Sequence, residues 1–203
     1  MITVIDYGMG NIRSVVKAFE LYTKDVQVSN DPSSIKKSSA LILPGDGAFA
    51  MAMENLKKLG WAEPLKKYIE DGGYFFGVCL GYQLLFSSSE EFGCSDGLGI
   101  IEGHITRFPK NALKVPHMGW NSVKFTGTSA FLDGLPDNSY FYFIHSYYPE
   151  TASRDCVLGE AEYGINFPCI IGRGKLIATQ FHPEKSHRCG LMIVENFVRR
   201  VCS

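Results

Sequence analysis

Short, unbroken apolar runs rich in β-branched and aromatic residues alternate, through the first half of the chain, with stretches whose apolar positions recur at helical spacing. The runs fall at residues 2–5, 40–43 and 74–78. The helical spacing falls at 11–22, 48–59 and 61–70, with Pro64 tolerable in a first turn, and residues 80–87 read as a further helix. A strand buried on both faces needs no polar alternation, so this βαβα texture predicts a parallel sheet covered by helices on both sides. From about Gly97 the texture changes to shorter strand-like pieces with many turn residues, at 99–105, 121–125, 140–144, 156–161, 169–173 and 176–180. These predict an antiparallel extension at one edge. Residues 191–201, apolar at Leu191, Ile193, Val194, Phe197, Val198 and Val201, close the chain as an amphipathic helix. The expected fold class is α/β: three layers, with a mostly parallel open sheet, helices on both faces and an antiparallel extension. No internal repeat, low-complexity stretch or long linker argues a boundary, so one domain over 1–203 is expected.

Composition narrows the function classes. The chain has 203 residues, 45% hydrophobic and 20% charged, which is ample for a core that excludes water. Twenty Lys+Arg against 21 Asp+Glu leave a net charge of −1 with no block of like charges, so neither nucleic acid nor a membrane surface is an expected partner. The segment Met1 to Asp6 turns acidic where a secretory signal would be basic, and no apolar run reaches the length of a membrane span. A cytoplasmic location is expected. The six cysteines, at 79, 94, 156, 169, 189 and 202, form no C-x-x-C pair and read as reduced thiols.

Candidate chemistry begins at Gly77-Val-Cys79-Leu-Gly81, which ends an apolar strand and opens a helix. It matches the G-x-nucleophile-x-G turn with cysteine where hydrolases place serine, the two glycines being required for space. The thiol would stand at the carboxyl edge of the sheet, where open α/β folds place their sites. There a helix N-terminus would favour the thiolate, and the amide of Leu80 could donate to an oxyanion.

Gln180-Phe-His182-Pro-Glu184 follows the apolar strand 176–179. Residues two apart on an extended backbone face the same way, so His182 and Glu184 can be aimed at one place, with Pro183 stiffening the stretch between them. Cys79 as nucleophile, His182 as proton acceptor and Glu184 as the carboxylate that sets the imidazole tautomer make a complete triad by role. Gly45-Asp46-Gly47, after the second apolar run, leaves amides uncovered and suits a loop that donates to developing negative charge. Gly8-Met-Gly10-Asn11 is not a dinucleotide fingerprint, because no third glycine follows, and a nicotinamide site is rejected. His104, His117, His145 and His187 show no metal-ligand spacing, so no metal and no cofactor are expected. Met118 and Trp120, in a Pro/Gly segment, read either as buried packing or as an anchor on a partner surface.

Taken together, Gly77-Val-Cys-Leu-Gly-Tyr-Gln83, Pro44-Gly-Asp-Gly47 and His182-Pro-Glu184 resemble the class I (triad) glutamine amidotransferases. Asp6-Tyr-Gly-Met-Gly-Asn11, Pro116-His-Met-Gly-Trp-Asn121, His145-Ser-Tyr-Tyr148 and Phe181-His-Pro-Glu-Lys-Ser186 are similar, more narrowly, to the glutaminase subunits of imidazole glycerol phosphate synthases. The resemblance implies a flavodoxin-like fold and hydrolysis of L-glutamine to L-glutamate and ammonia through a Cys79 thioester. The ammonia would be channelled, within a heterodimer, to a (β/α)8-barrel cyclase subunit of histidine biosynthesis. It also implies that Leu80 and the Gly45-Asp46-Gly47 strand form the oxyanion hole, that Gln83, Ser146 and Tyr147 hold glutamine, and that Met9, Asn11, Met118, Trp120, Asn121 and Lys185 face the partner. One departure stands out: Asp46 replaces an apolar residue usual in the family, and a carboxylate there would oppose the oxyanion unless it points to solvent or to a cation. The alternative it raises is a paralogous glutaminase feeding another synthetase, such as one amidating a surface sugar.

Overall fold

The computed structural model describes residues 1–109, 113–150 and 153–202. In chain order the elements are β1 (Ile2–Ile5), α1 (Ile12–Glu20), β2 (Val26–Ser29), β3 (Ala40–Leu43), α2 (Phe49–Lys58), α3 (Ala62–Glu70), β4 (Tyr74–Val78), α4 (Leu80–Gln83) and β5 (Phe86–Ser89). They continue with β6 (Ser95–Asp96), β7 (Ile101–Arg107), β8 (His117–Phe125), β9 (Ser139–His145), β10 (Tyr147–Glu150), β11 (Val157–Glu162), β12 (Asn166–Arg173), β13 (Leu176–Thr179) and α5 (His187–Cys202).

Among the described residues nine strands form one sheet in the order β2-β1-β3-β4-β13-β12-β11-β8-β9. The first five are mutually parallel, and from β13 outward every pairing is antiparallel. A smaller sheet, β10-β7-β5-β6, lies beside it. The unbroken apolar runs are explained by burial on both faces. Ile2, Val4, Phe76 and Val78 pack with Val15 and Phe19 of α1 and Phe197 of α5, whereas Ile5, Leu41, Leu43 and Phe75 pack with Phe49 and Leu56 of α2 and with Trp61. The α/β class, the helices on both faces and the antiparallel extension are therefore as expected.

Several elements differ from expectation. The predicted helix 80–87 stops at Gln83, and residues 86–89 cross to the smaller sheet as β5, whose Phe86 pairs with Ile101 of β7. The edge strand β2 and the strand β10 carry no clear apolar run and were not expected. β8 begins at His117 rather than at residue 121 and pairs with β9 from His117 to Val123. α5 starts at His187, four residues early, because Gly190 lets the helix lie against the Pro183 carbonyl, where a Cβ would collide.

Candidate active site

The carboxyl ends of β3, β4 and β13 converge on one pocket, and each carries one of the motifs. Cys79 follows β4 at φ 54° and ψ −104°, a conformation that costs a non-glycine residue roughly 1–3 kcal/mol and persists only where the surroundings enforce it. They do so from both sides. The Cys79 amide donates to Thr179 O at 2.8 Å, and the amides of Tyr82 and Gln83 donate to the Cys79 carbonyl at 3.1 and 3.2 Å. A Cβ on Gly81 would strike the Leu43 carbonyl, and one on Gly77 would stand 2.8 Å from Gly81 O. Both positions are glycine because α4 leans directly on the end of β3.

The thiol of Cys79 is nearly buried but lines a cavity of about 270 Å3 together with Asp46, Gly47, Leu80, Gln83, Glu91, Met118 and the His145–Tyr147 segment. Its sulfur lies 4.0 Å from Ile144 O and 3.9 Å from Gln180 Nε2. Because α4 has only four residues, the helix dipole expected to favour the thiolate is small. The cation beside the sulfur is His182.

His182 has the expected extended backbone, at φ −95° and ψ 98°, but it caps a single 3-10 turn, Pro183–Lys185, and this turn, rather than a continued strand, folds Glu184 back onto its ring. His182 Nδ1 lies 2.9 Å from Glu184 Oε1, with both side chains buried. The backbone of the motif is held by its amide donating to Tyr142 O at 3.0 Å and by the Ser186 hydroxyl donating to the His182 carbonyl at 2.6 Å. Since the carboxylate accepts the Nδ1 proton, the lone pair of the neutral ring is on Nε2, and Nε2 is buried without a hydrogen-bond partner. Burial pushes the His182 imidazolium down, but the adjacent Cys79 sulfur and Glu184 outweigh it and hold the group up at about 10. The structure thus brings the three residues together as a thiol, an imidazole and an orienting carboxylate.

The remaining predicted residues divide. Gln83 Nε2 donates to Tyr147 O at 3.1 Å and to Gln180 Oε1 at 2.9 Å, so it ties α4 to β10 at the pocket wall. The Leu80 amide, expected to face an oxyanion, donates at 3.4 Å to the Gly45 carbonyl, so the glycine loop presents an acceptor where a donor was expected. Asp46 is exposed and lines the pocket. Met118 and Trp120 are 58% and 46% exposed and lie opposite Ile144 and Tyr142 across the ladder. With Tyr140 and Ile144 they make an apolar face bordering the pocket mouth, and Trp120 stacks flat on His187 at 5.0 Å. Lys185 is exposed and Met9 half-buried. The Asn11 side chain caps α1 through Ser14 N at 3.2 Å, and the Asn121 side chain is engaged internally.

Two residues of the site were not singled out from sequence. Glu91 lines the pocket from a loop, its Oε2 fixed by the Phe49 amide of α2 at 2.7 Å. Tyr7, buried behind the glycine loop, donates to Pro44 O at 2.9 Å and pins that loop; burial, then the Cys79 and Asp46 charges, push its phenol well up. Neither carries a spacing signal. Among the described residues no group of three or more His, Cys, Asp or Glu side chains is placed to hold a metal ion, and no helix is long and apolar enough to cross a membrane.

The sequence profile of the glutamine amidotransferase class-I family matches residues 3–201. The chain is 48% identical over 198 residues to the imidazole glycerol phosphate synthase subunit HisH of Methanocaldococcus jannaschii, covering 98% of either chain. It is 45% identical to the protein of the same name from Desulfitobacterium hafniense, over 97% of this chain and 93% of that one. Among solved structures it superposes on PurLQS from Thermotoga maritima with a TM-score of 0.78 at 15% identity, covering 98% of both. It superposes on the glutaminase domain of Trypanosoma brucei CTPS, bound to acivicin, with a TM-score of 0.70 at 15% identity, over 99% of this chain and 93% of that one. Identities this low support the fold alone.

Proposed function

The chain belongs to the class-I glutamine amidotransferase family, and on that premise we propose that it is the glutaminase subunit of an imidazole glycerol phosphate synthase, serving histidine biosynthesis in the cytoplasm. Near-complete coverage of this chain and of the relatives, with the family profile running from residue 3 to 201, supports a single catalytic domain.

In this reading glutamine enters with its carboxamide toward Cys79. Glu91 pairs with the α-ammonium, while Gln83 and the Ser146–Tyr147 backbone hold the head group. The Cys79 sulfur, a thiolate once its proton rests on His182 Nε2, bonds to the carboxamide carbon and displaces electrons onto oxygen. The tetrahedral intermediate collapses to a γ-glutamyl thioester, and ammonia leaves with the proton returned by His182. His182 then deprotonates a water that attacks the thioester carbon, the C–S bond breaks, and the thiol is regenerated. One glutamine and one water give one glutamate and one ammonia. Glu184 holds the Nδ1 proton throughout, so Nε2 faces the sulfur at each step.

An oxyanion donor contributes on the order of 3 kcal/mol to such a step. With the Leu80 amide occupied by Gly45 O, that donor becomes available only when the glycine-loop carbonyl turns aside, and turnover by the isolated chain is accordingly low. Asp46 is exposed to water, which weakens the electrostatic objection to this loop. The apolar face of Met118, Trp120, Tyr140 and Ile144 borders the pocket mouth, where a barrel-shaped cyclase subunit forming a heterodimer would receive ammonia before it reached bulk water, with Met9, Asn11, Asn121 and Lys185 around the contact.

The observation that carries the reading is the unpartnered His182 Nε2 beside Cys79, with the opposite ring nitrogen held at 2.9 Å by Glu184. The test is glutamate release from glutamine by the chain alone and with the cyclase subunit, with and without its nucleotide ligand. Low release that rises steeply on adding both supports the proposal. Release indifferent to the cyclase refutes the partner, and hydrolysis of peptides or esters in preference to glutamine refutes the substrate.

A further inference from the structure

Two buried histidines that the reaction above does not use lie between the pocket and the far edge of the sheet. His117 of β8 and His145 of β9 are directly paired across the ladder, with His117 Nδ1 2.9 Å from His145 Nε2. At one end His145 Nδ1 is 2.8 Å from Tyr147 O. At the other, His117 Nε2 is 3.3 Å from Asn121 Nδ2.

The ends fix every proton. A carbonyl only accepts, so His145 carries its proton on Nδ1 and presents a lone pair at Nε2, which His117 must fill from its own Nδ1–H. The other end gives the same result independently. The Asn121 amide is oriented by Ser122 N donating to Oδ1 at 2.8 Å and by Nδ2 donating to Glu162 O at 2.8 Å, so His117 Nε2 faces a donor and must be the lone-pair nitrogen. The chain therefore runs in one direction: Asn121 to His117 to His145 to the Tyr147 carbonyl. The second lone pair of that carbonyl takes Gln83 Nε2 at 3.1 Å. Aromatic rings wall the pair in. His117 lies between Phe143 and Tyr163 at 4.8 and 4.0 Å, and His145 lies against Phe108 and Phe167 at 5.2 Å each. Burial holds both rings far below the usual histidine range, at about 4 for His117 and about 3 for His145, where His117 and His182 also oppose charge. A proton on either ring would set donor against donor.

We propose that His117 and His145 are positioning residues, a directional hydrogen-bond relay that fixes the Ser146–Tyr147 wall of the glutamine pocket from the Asn121 edge of β8. Resting on the glutaminase reading, the inference extends it: affinity for glutamine depends on a ring that touches neither substrate nor Cys79. Without the His117 donor, His145 Nε2 is a buried orphan, its ring is free to turn, and the bond to Tyr147 O is lost.

The test separates the relay from packing. His117→Phe keeps an aromatic ring between Phe143 and Tyr163 but removes the donor. His117→Asn loses the ring yet places an amide N–H the same two bonds from Cβ as Nδ1. In glutamate release by the full chain with the cyclase subunit, the relay predicts that His117→Phe raises KM for glutamine about tenfold, that of one lost hydrogen bond, with kcat within about threefold. His117→Asn brings KM back to within about threefold of wild type. Packing alone predicts the reverse order, and a His117→Phe enzyme with unchanged KM overturns the proposal. Independently of folding in the variants, long-range proton–nitrogen NMR of the wild type should show the Nδ1–H tautomer on both rings. An Nε2–H tautomer on either overturns the relay. If the wild type releases no glutamate at all, the glutaminase reading falls, and the relay is then decided by the tautomers.

Discussion

A methyl group added at Gly81 measures how much catalysis depends on the seat of the nucleophile turn. The new Cβ would overlap the Leu43 carbonyl oxygen and stand 2.8 Å from the Leu43 carbonyl carbon and 3.2 Å from its Cγ. Carbon atoms rest at about 3.5–4.0 Å, and the backbone of β3, hydrogen-bonded to β1 on one side and β4 on the other, has nowhere to retreat. The α4 turn must therefore back away by on the order of 1 Å. Overpacking of this kind costs roughly 1–3 kcal/mol, against a usual domain stability of about 5–15 kcal/mol, so the variant folds. A reacting atom misplaced by about 1 Å loses on the order of 100-fold in rate. Gly81→Ala should lower the urea midpoint modestly and kcat/KM for glutamate release about 100-fold. Gly72→Ala is the control: at φ 80° with nothing within 4 Å, it carries only the left-handed penalty of roughly 1–2 kcal/mol, away from the pocket. A Gly81→Ala enzyme within about threefold of wild type, or a Gly72→Ala enzyme that loses activity in step with its stability, would show that activity follows global stability and would refute the reasoning.

Other outcomes follow from the same geometry. Glu91→Gln should raise KM for glutamine by about 10–100-fold, the range of a charge-assisted hydrogen bond, and an unchanged KM would remove Glu91 from substrate binding. In a titration followed by NMR, His182 should keep its proton through neutral pH and release it near pH 10, and in Cys79→Ala it should release it at lower pH because the sulfur no longer supports the charge. Identical titration in both would place the cause elsewhere. The buried pair predicts acid sensitivity. Folded His117 and His145 titrate near 4 and 3, below the unfolded value of about 6.5, so the unfolded chain binds more protons below that value and stability, intact above it, falls as pH drops toward 4. His117→Phe should lessen that fall, and an unaltered acid limb of the stability curve would contradict it.

The sequence disclosed those parts of the fold where one physical demand dominates. β1, β3 and β4 are buried on both faces, and nothing but an unbroken apolar run satisfies that environment. β2 was missed because it is an edge strand, half in water, and the apolar/polar alternation of Val-Gln-Val-Ser spans only four residues, too few to stand out beside the unbroken apolar runs. Residues 80–86 are all buried, so their apolar run carries no helical period and gives no sign of where α4 becomes β5. In the site, Cys79 and His182 were legible because a strained turn needs flanking glycines and because His-Pro-Glu is compact in sequence. The mechanism of their meeting was not. A 3-10 turn, rather than strand alternation, carries Glu184 to the imidazole, since Pro183 favours the first position of a turn as readily as extended backbone. Glu91, Tyr7 and the His117–His145 pair stayed hidden because their roles rest on contacts across 42, 37 and 28 residues, which leave no local pattern.

The central claim is that the Cys79 sulfur becomes covalently bonded to the substrate. Acid-quenching the full complex during glutamine turnover and weighing the intact chain tests it directly. The account predicts a mass gain equal to one γ-glutamyl group, mapped to the peptide that contains Cys79, and the loss of both that adduct and glutamate release in Cys79→Ala. Continued release by Cys79→Ala, or an adduct mapped to another residue, would contradict the account.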